Sequence, residues 1–345
     1  MNLAATHEPG TAVRTAVSQG SALQPEFEAL ISGCGICVLE EAHISLAGRD
    51  RERWLNGMIT NNVRDLQPGH GVYAFVLNPQ GHIQGDLYVF QQGERFVVET
   101  ERPQLDTLIA LFRRYIIMDQ VELEDWTDKF TTIGVVGPKA RETLARISWN
   151  TELDPLEFGQ LSWDGGEVRV VHGDNASVPS YRLWVRQDQV DNIWQALERA
   201  GGLRVHSDAL EALRVASGIP KFGQDIRNRD LPQETGQQRA LNFNKGCYIG
   251  QEIVERIRSR GAVHRTFIGF ELEGASPAAG TKILNDGKEV GEITSIVSIP
   301  TAAGEQTIAV GYLRKEFAAG DKEVTAATSR VKPRGLPFSE FLVAH

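Results

Sequence analysis

Apolar and polar positions follow a strand period over much of the first hundred residues and then change to a helix period. Strands are predicted where apolar residues alternate or run together, at 35–39, 44–46, 72–77, 83–90 and 95–99. A short helix is predicted at 48–58. A longer helix follows Pro103, where apolar residues recur at helical spacing, at Leu105, Leu108, Ile109 and Phe112. Residues 25–128 are therefore predicted to form a first mixed α+β domain.

Both periods return over residues 129–220. Strands are predicted for the apolar, β-branched or aromatic runs at 131–136, 168–171 and 181–185. Helices are predicted after Gly137-Pro138, over the apolar face at 190–197, and behind Ser207, which suits an N-cap position. These residues are predicted to form a second α+β domain.

The pattern changes again after a charged, glycine-rich linker at 221–262. Residues 263–345 are rich in strand runs and have few helical patterns. Asp286-Gly287 stands between two of these runs, which is a strong hairpin signal. This last segment is predicted to be a small β-barrel or sandwich. Residues 1–24, rich in Ala, Thr, Ser and Gln, are predicted to be a flexible tail without the basic start and apolar middle of a secretion signal.

Composition and charge exclude several classes of protein. Of the 345 residues, 41% are hydrophobic, which is enough for packed cores. No apolar run reaches the roughly 20 residues that a membrane helix needs. The net charge of −9 argues against broad nucleic-acid binding, because an acidic chain repels a phosphate backbone. Three cysteines do not make a disulfide scaffold, so a reducing compartment, the cytoplasm, is expected.

Residues 245–252 read Lys-Gly-Cys-Tyr-Ile-Gly-Gln-Glu and carry the most distinctive chemistry of the chain. This string places Cys247 just before a helix that is predicted to start near Gly250. The N-terminus of a helix carries a partial positive charge, and Lys245 is predicted to add a full one nearby. Both charges favour thiolate over thiol at Cys247. The alternative is that Cys247 is simply a small buried apolar residue, as many free cysteines are.

This string resembles the KGC-aromatic-x-GQE signature of the YgfZ branch of the glycine-cleavage T-protein family. The flanking segments at 212–234 and 260–274 are also similar to that branch, and residues 75–87 resemble its folate-site meander. The resemblance covers roughly residues 26–343. It implies a three-domain α+β cloverleaf around a central folate pocket, with two mixed α/β domains and a C-terminal β-barrel.

The resemblance also implies a function. It points to a tetrahydrofolate-binding accessory factor for the assembly or maintenance of iron–sulfur proteins, rather than a turnover enzyme. Its partners would be folate and iron–sulfur client or assembly proteins. Cys247 would be the reactive thiol, with Lys245 beside it. The residues that the resemblance implies for the folate site are Tyr73, Asn78, Asp86, Arg214, Glu234, Tyr248, Gln251 and Glu252.

Ordinary structural roles remain open for several of these side chains. Asp86 follows a turn, where a solvated strand-edge acid is common, and Tyr73 and Asn78 suit a strand and a turn. Arg214 falls on the polar side of a predicted helix, and Glu234 is one of many loop acids. The remaining cysteines have CxxC spacing within an apolar strand and are predicted to be structural, at Cys34 and Cys37.

Two departures from the T-protein pattern bear on catalysis. The T-protein has paired acids where this chain has Gly85-Asp86, and an acid-bearing Gly-Tyr-Thr-Gly motif where this chain has residues 179–184. Both differences argue against aminomethyl transfer. Two alternatives stay open, namely a folate-dependent aminomethyltransferase or demethylase of the T-protein type and a folate-binding module without chemistry of its own.

Overall fold

The computed structural model describes residues 23–150, 152–261, 263–301, 304–320 and 322–342. The tail predicted for residues 1–24 lies outside these ranges, except for its last two residues, which begin the first helix. The helices of the described residues are α1 (Leu23–Ser32), α2 (Arg51–Met58), α3 (Leu105–Tyr115), α4 (Ala140–Arg146), α5 (Val190–Arg199), α6 (Ser207–Ala216) and α7 (Gln251–Arg260).

Three sheets contain the strands of the described residues. Those before the linker are β1 (Gly35–Leu39), β2 (Glu41–Ala47), β3 (Gly71–Leu77), β4 (Ile83–Gln92), β5 (Arg95–Glu101), β6 (Glu122–Asp125), β7 (Thr131–Val136), β8 (Phe158–Trp163), β9 (Gly166–His172), β10 (Ser180–Val185) and β11 (Leu203–Arg204). Those after it are β12 (Arg265–Glu273), β13 (Lys282–Asn285), β14 (Lys288–Thr301), β15 (Gly304–Arg314), β16 (Val324–Ala326) and β17 (Ser329–Arg334).

The predicted meander, β3-β4-β5, forms one side of an antiparallel sheet with the order β3-β4-β5-β2-β6. One face of this sheet packs on α2 and α3, in a core that includes the fully buried Leu55, Leu108 and Phe112. Successive side chains of a strand point to opposite faces. The other face therefore carries Tyr73, Tyr88 and Glu99, which are neighbours on β3, β4 and β5.

The second sheet has the order β11-β1-β7-β10-β9-β8 and packs on α4 and α5. Its strand β1 comes from the first predicted segment, residues 25–128. In the second sheet, β1 pairs antiparallel with β7 and parallel with β11. Strand β1 therefore leaves the first predicted segment, whose other strands, β2 to β6, make up the first sheet. Gly35, Ile36 and Cys37 are all buried, as expected for a strand with a neighbour on each side. Cys34 is also buried, so both cysteines pack as core residues.

The last segment forms a closed barrel with the order β12-β15-β14-β13-β16-β17. Asp286 and Gly287 connect β13 and β14 with φ angles of 48° and 76°, and two positive values are what a two-residue type I′ hairpin requires. The predicted hairpin is confirmed. Helices α1 and α6 pack against each other and share a core with residues of β14 and β15, among them Ile299 and Tyr312.

The predicted α+β class is confirmed, with two mixed α/β parts and a C-terminal closed barrel. Two predicted helices begin later than expected. The helix predicted for 48–58 begins at Arg51, and the one predicted after Gly137-Pro138 begins at Ala140. Gly48 and Gly137 have φ angles of 98° and 126°, values that a right-handed helix does not contain. Among the described residues, no helix has the length and apolar character to cross a membrane.

Candidate functional site

Asp86 is half-buried in a hydrogen-bonded cluster on the face of the first sheet opposite α2 and α3. The Tyr73 hydroxyl donates to Asp86 Oδ2 at 2.7 Å, and Gln104 Nε2 donates to Asp86 Oδ1 at 2.7 Å. Burial raises the pKa of Asp86, although both hydrogen bonds act in the opposite direction. Burial also raises the pKa of Tyr73 well above its ordinary value, and the charge of Asp86 adds to that effect. Asp86 is therefore a fixed, desolvated carboxyl group and not a solvated strand-edge acid.

Cations and aromatic rings stack above this cluster. The rings of Tyr73 and Tyr88 lie 5.0 Å apart, centre to centre. The guanidinium of Arg239 lies 4.5 Å from the centre of the Tyr73 ring, and that of Arg182 lies 4.4 Å from the centre of the Tyr88 ring. Asp174 accepts a hydrogen bond from the Tyr88 hydroxyl and pairs with Arg239. This stack joins the first sheet, the second sheet and the linker at one point.

A buried ion pair continues the contact between the two sheets. Arg182 Nη1 lies 2.8 Å from Glu99 Oε1, and Trp184 Nε1 donates to Glu99 Oε2 at 2.6 Å. Burial acts to raise the pKa of Glu99, but the Arg182 charge and then His43 lower it overall. Arg182 thus places a cation in the segment where the T-protein pattern has an acid-bearing motif.

Cys247 is exposed and lies on a loop that precedes α7. The predicted helix start is confirmed, because Gly250 is the N-cap residue and Gln251 begins the helix. Gly250 has a φ angle of 83°, and a Cβ at this position would lie 2.6 Å from the carbonyl oxygen of Asn78. Glycine is therefore required here, both for the backbone conformation and for the close approach to the β3–β4 turn.

Lys245, predicted to lie beside the thiol, has a buried side chain bonded to the end of α2 and to the residues that follow it. Its side chain is 9% exposed, and Nζ donates to the backbone carbonyls of Asn56, Ile59 and Asn61 at 2.7, 2.7 and 2.5 Å. Burial lowers the pKa of Lys245 to about 7, with a smaller contribution from the charge of Arg64. All three donors of the ammonium group are used at the C-terminal end of α2, so Lys245 anchors the loop instead of providing a charge for the thiol.

Arg214 and Glu234 attach the linker to the barrel, which argues against their predicted role in ligand binding. Arg214 pairs with Glu211 and with the fully buried Asp225, and its Nη2 donates to Ser295 Oγ at 2.8 Å. Glu234 accepts two hydrogen bonds from Arg265, at 3.0 and 2.8 Å. These contacts occupy both charged groups within the protein.

The remaining predicted residues have mainly local contacts. Asn78 Oδ1 accepts a hydrogen bond from the backbone of His82 and so closes the β3–β4 turn. Gln251 Oε1 accepts a hydrogen bond from the backbone N–H of Tyr248 at 3.3 Å, and Glu252 forms a surface ion pair within α7. Tyr248 is buried in the same apolar cluster as Tyr73, which brings the Cys247 loop next to the Asp86 cluster.

The fold adds several residues to the site that sequence reasoning missed, namely Tyr88, Gln104, Asp174, Arg182 and Arg239. Tyr88 follows Asp86 by two residues on β4, so the alternation of the strand could have indicated it. The other four reach the site through contacts between distant parts of the chain, for which the sequence contains no local signal. A surface cavity of about 360 Å³ lies beside the Asn78 turn, between it and α3, while a larger one of about 510 Å³ lies away from the site, on the second sheet near α5. Among the described residues, no group of three or more His, Cys, Asp and Glu side chains is arranged to hold a metal ion.

Comparison with known families gives two matches. The model of the GCVT N-terminal domain matches residues 12–245, and that of the glycine cleavage T-protein C-terminal barrel domain matches residues 265–334. The first matched range ends before α7, and the second begins after it.

Two relatives and a solved structure are similar to this chain over most of its length. An aminomethyltransferase from Rubrobacter xylanophilus is 27% identical over 88% of this chain and 82% of its own length. A putative chloroplastic transferase from Arabidopsis thaliana is 24% identical over 84% of this chain and 68% of its own length. The crystal structure of the glycine cleavage system aminomethyltransferase T from Bartonella henselae superimposes with a TM-score of 0.82 at 18% identity, covering 92% of this chain and 89% of that one.

Proposed function

The chain belongs to the glycine cleavage T-protein family, and on that premise we propose that it is a tetrahydrofolate-binding accessory factor for iron–sulfur proteins, of the YgfZ type. The observation that carries this proposal is the position of Cys247. It is an exposed thiol on an anchored loop, next to a buried cluster with the features of a ligand site. The partners of the protein are iron–sulfur client or assembly proteins, and the protein acts in the cytoplasm.

The Asp86 cluster supports folate as the ligand. A pterin is planar and has polar edges, so its site needs an aromatic surface and a few fixed hydrogen-bonding groups. Tyr73 and Tyr88 provide the aromatic surface, and Asp86 provides a carboxyl group held by two hydrogen bonds. Residues 25–128 and 129–220 are our proposed domain limits, and the site lies where they meet the linker at 221–262.

The three cysteines differ in a way that supports Cys247 as the reactive thiol. Burial raises the pKa of Cys34, and it raises the pKa of Cys37 to about 12, so both remain protonated in the core at neutral pH. Cys247 is exposed. Among these three side chains, only Cys247 is positioned to react with a partner or to exchange a ligand with it.

Calorimetry tests the ligand. Titration of the protein with tetrahydrofolate should give saturable binding, and Asp86→Asn should weaken it by about 10- to 100-fold, because a hydrogen bond to a charged group is lost. Asp188→Asn, at an exposed position in the turn between β10 and α5, where its carboxylate pairs with Arg186, is the matched control and should bind as the wild type does. An absence of heat at millimolar folate would remove the folate part of the proposal.

Complementation tests the thiol. In a strain that lacks the protein, Cys247→Ala should fail to restore the activities of iron–sulfur enzymes while still binding folate. Cys34→Ala removes a buried thiol instead and should restore them. Full restoration by Cys247→Ala would contradict the accessory-factor proposal.

A folate-dependent aminomethyltransferase or demethylase is the second candidate. It is favoured by the relatives, because the Rubrobacter xylanophilus and Bacillus subtilis proteins are named aminomethyltransferases. Gly85 opposes it, since it stands where the T-protein pattern has one of two paired acids. The cationic Arg182 also opposes it, since it lies in the segment 179–184, where that pattern has an acid-bearing motif. Incubation with tetrahydrofolate and an aminomethylated carrier protein would detect this activity as released ammonia, and Cys247→Ala would leave it intact.

A further inference from the structure

A short segment lies between the Asp86 cluster and the Cys247 loop and is bonded to both. We call Ile59, Thr60 and Asn61 the bridge segment. It follows α2 directly, and Ile59 and Thr60 are fully buried. Because its polar groups are shared between two other parts of the chain, its position depends on both of them.

On one side, the bridge segment is bonded to β3. The backbone N–H of Thr60 donates to the Phe75 carbonyl at 3.0 Å, and the Phe75 N–H donates to Thr60 Oγ1 at 2.9 Å. Asn61 Nδ2 donates to the carbonyl of Tyr73 at 2.9 Å. Tyr73 is the residue whose hydroxyl bonds Asp86, so this side of the segment follows the position of the candidate ligand site.

On the other side, the bridge segment is bonded to the linker that leads to Cys247. Asn61 Nδ2 also donates to the Arg239 carbonyl at 2.9 Å, and Thr60 Oγ1 donates to the Ala240 carbonyl at 2.6 Å. The carbonyls of Ile59 and Asn61 accept hydrogen bonds from Lys245 Nζ. The loop that carries Cys247 is therefore held against the bridge segment on the N-terminal side of the thiol.

Asn61 is the residue of the bridge segment that a substitution can test. Its one amide nitrogen bonds the carbonyls of both Tyr73 and Arg239, so it links β3 directly to the linker. It is also partly exposed, whereas Thr60 is fully buried and its replacement would disturb the core. The other contacts between the three parts are made by the Thr60 hydroxyl, the Lys245 ammonium group and backbone atoms, none of which a substitution of Asn61 removes.

We propose that Asn61 is a positioning residue that couples occupancy of the Tyr73–Asp86 site by a reduced folate to the accessibility of the Cys247 thiol. This inference rests on the proposed function, since it assumes folate binding at that site. A ligand that contacts Tyr73 shifts β3, the Asn61 amide transmits the shift to residue 239, and the linker carries it to the Cys247 loop. The hydrogen bonds that join the bridge segment to β3 and to the linker form the contiguous network through which this coupling would travel.

The test measures how fast iodoacetamide alkylates Cys247, with and without saturating tetrahydrofolate under nitrogen, by peptide mass spectrometry. In the wild type, folate should change the rate by about fivefold or more, which is the lower range of typical coupling between sites. In Asn61→Ala the change should disappear while calorimetry still shows folate binding. The buried Cys34 and Cys37 in the same sample report any general unfolding.

Two further variants make the result specific. Asn62→Ala is the matched control, because the Asn62 side chain contacts only Arg64 and Asp65 among the described residues, and it should keep the wild-type response. Asn61→Asp keeps the shape of the side chain and the acceptor for the Asn62 N–H but lacks the amide donors. It should therefore behave as Asn61→Ala does, and it replaces the alanine variant if that variant fails to fold.

The possible outcomes separate this inference from the proposed function. If the wild type does not bind tetrahydrofolate, the proposed function fails and takes the inference with it. If it binds but the alkylation rate of Cys247 does not change, the inference fails and the proposed function stands. The inference also fails if a folded Asn61→Ala or Asn61→Asp variant keeps the wild-type response.

Discussion

Replacing Lys245 by methionine tests whether its ammonium group is strained by burial. Burial lowers the pKa of Lys245 from 10.5 to about 7. For a base whose pKa is lowered on folding, the unfolded chain binds more protons than the folded one between these two pH values. The free energy of unfolding of the wild type should therefore rise with pH from about 7 to about 10.5. Methionine has no proton to bind, so the variant should lack this contribution.

The size of the effect follows from the same two pKa values. One pKa unit corresponds to about 1.4 kcal/mol, so the whole difference amounts to about 5 kcal/mol. About 2.5 kcal/mol of this should appear between pH 7.5 and 9.5. The lost bonds to the carbonyls of Asn56, Ile59 and Asn61 are a separate cost of the substitution. That cost shifts the variant's stability without giving it this pH dependence.

Urea denaturation at pH 7.5, 8.5 and 9.5 provides the measurement, with wild type and Lys245→Met compared at each pH. The difference in unfolding free energy, wild type minus variant, should rise by about 2.5 kcal/mol over this range. Lys288→Met, at an exposed position of the β13–β14 hairpin, is the matched control and should give a flat difference. A flat difference for Lys245→Met would refute the reasoning. It would mean that the three carbonyls and the negative end of the α2 dipole hold the proton in spite of burial.

Three further predictions concern the thiol, the linker and the loop. Cys247 should react with iodoacetamide at neutral pH much faster than the two buried cysteines, and peptide mass spectrometry measures this. Cys247→Ala should change the free energy of unfolding by less than about 1 kcal/mol, because little packing is lost. Arg265→Met should destabilise the fold by about 3 kcal/mol in urea denaturation, since it leaves the buried Glu234 without its cation and Asp230 with only the more distant Arg227. A loss below about 1 kcal/mol would contradict this. Gly250→Ala should lower the thermal midpoint by several degrees, because the added Cβ meets the Asn78 carbonyl at a positive φ angle.

Features that depend on a few neighbouring residues could be predicted from the sequence. The meander, the hairpin at Asp286-Gly287 and the start of α7 after Gly250 all result from local backbone preferences and from the period of apolar residues. The strand-rich character of the last segment could be predicted for the same reason, whereas its patterns left a barrel and a sandwich both open, because β12 pairs with β15 and β13 with β16, which are not consecutive strands. Exposure of Cys247 was also consistent with its place just before a helix.

Partners that are distant in sequence could not be predicted in this way. Lys245 stands two residues from Cys247, yet its ammonium group bonds carbonyls that are 184 to 189 positions away. The reason is that the last carbonyls of a helix lack partners within the helix, so a donor that the tertiary fold brings near them is bound. Strand β1 likewise pairs with β7, about a hundred residues later, and not with its own neighbours in sequence.

Short-range periodicity and backbone preferences account for the order of the elements and for the strand-rich last segment. Contacts between distant parts of the chain closed that segment into a barrel, left Cys247 exposed and set which polar groups meet. They bonded the half-buried Asp86 to Tyr73, paired Arg214 and Glu234 with charges of the linker and the barrel, and placed Asn61 between β3 and the linker. A buried charge or amide must find a partner wherever the packed chain supplies one, and that choice depends on contacts that no local pattern encodes.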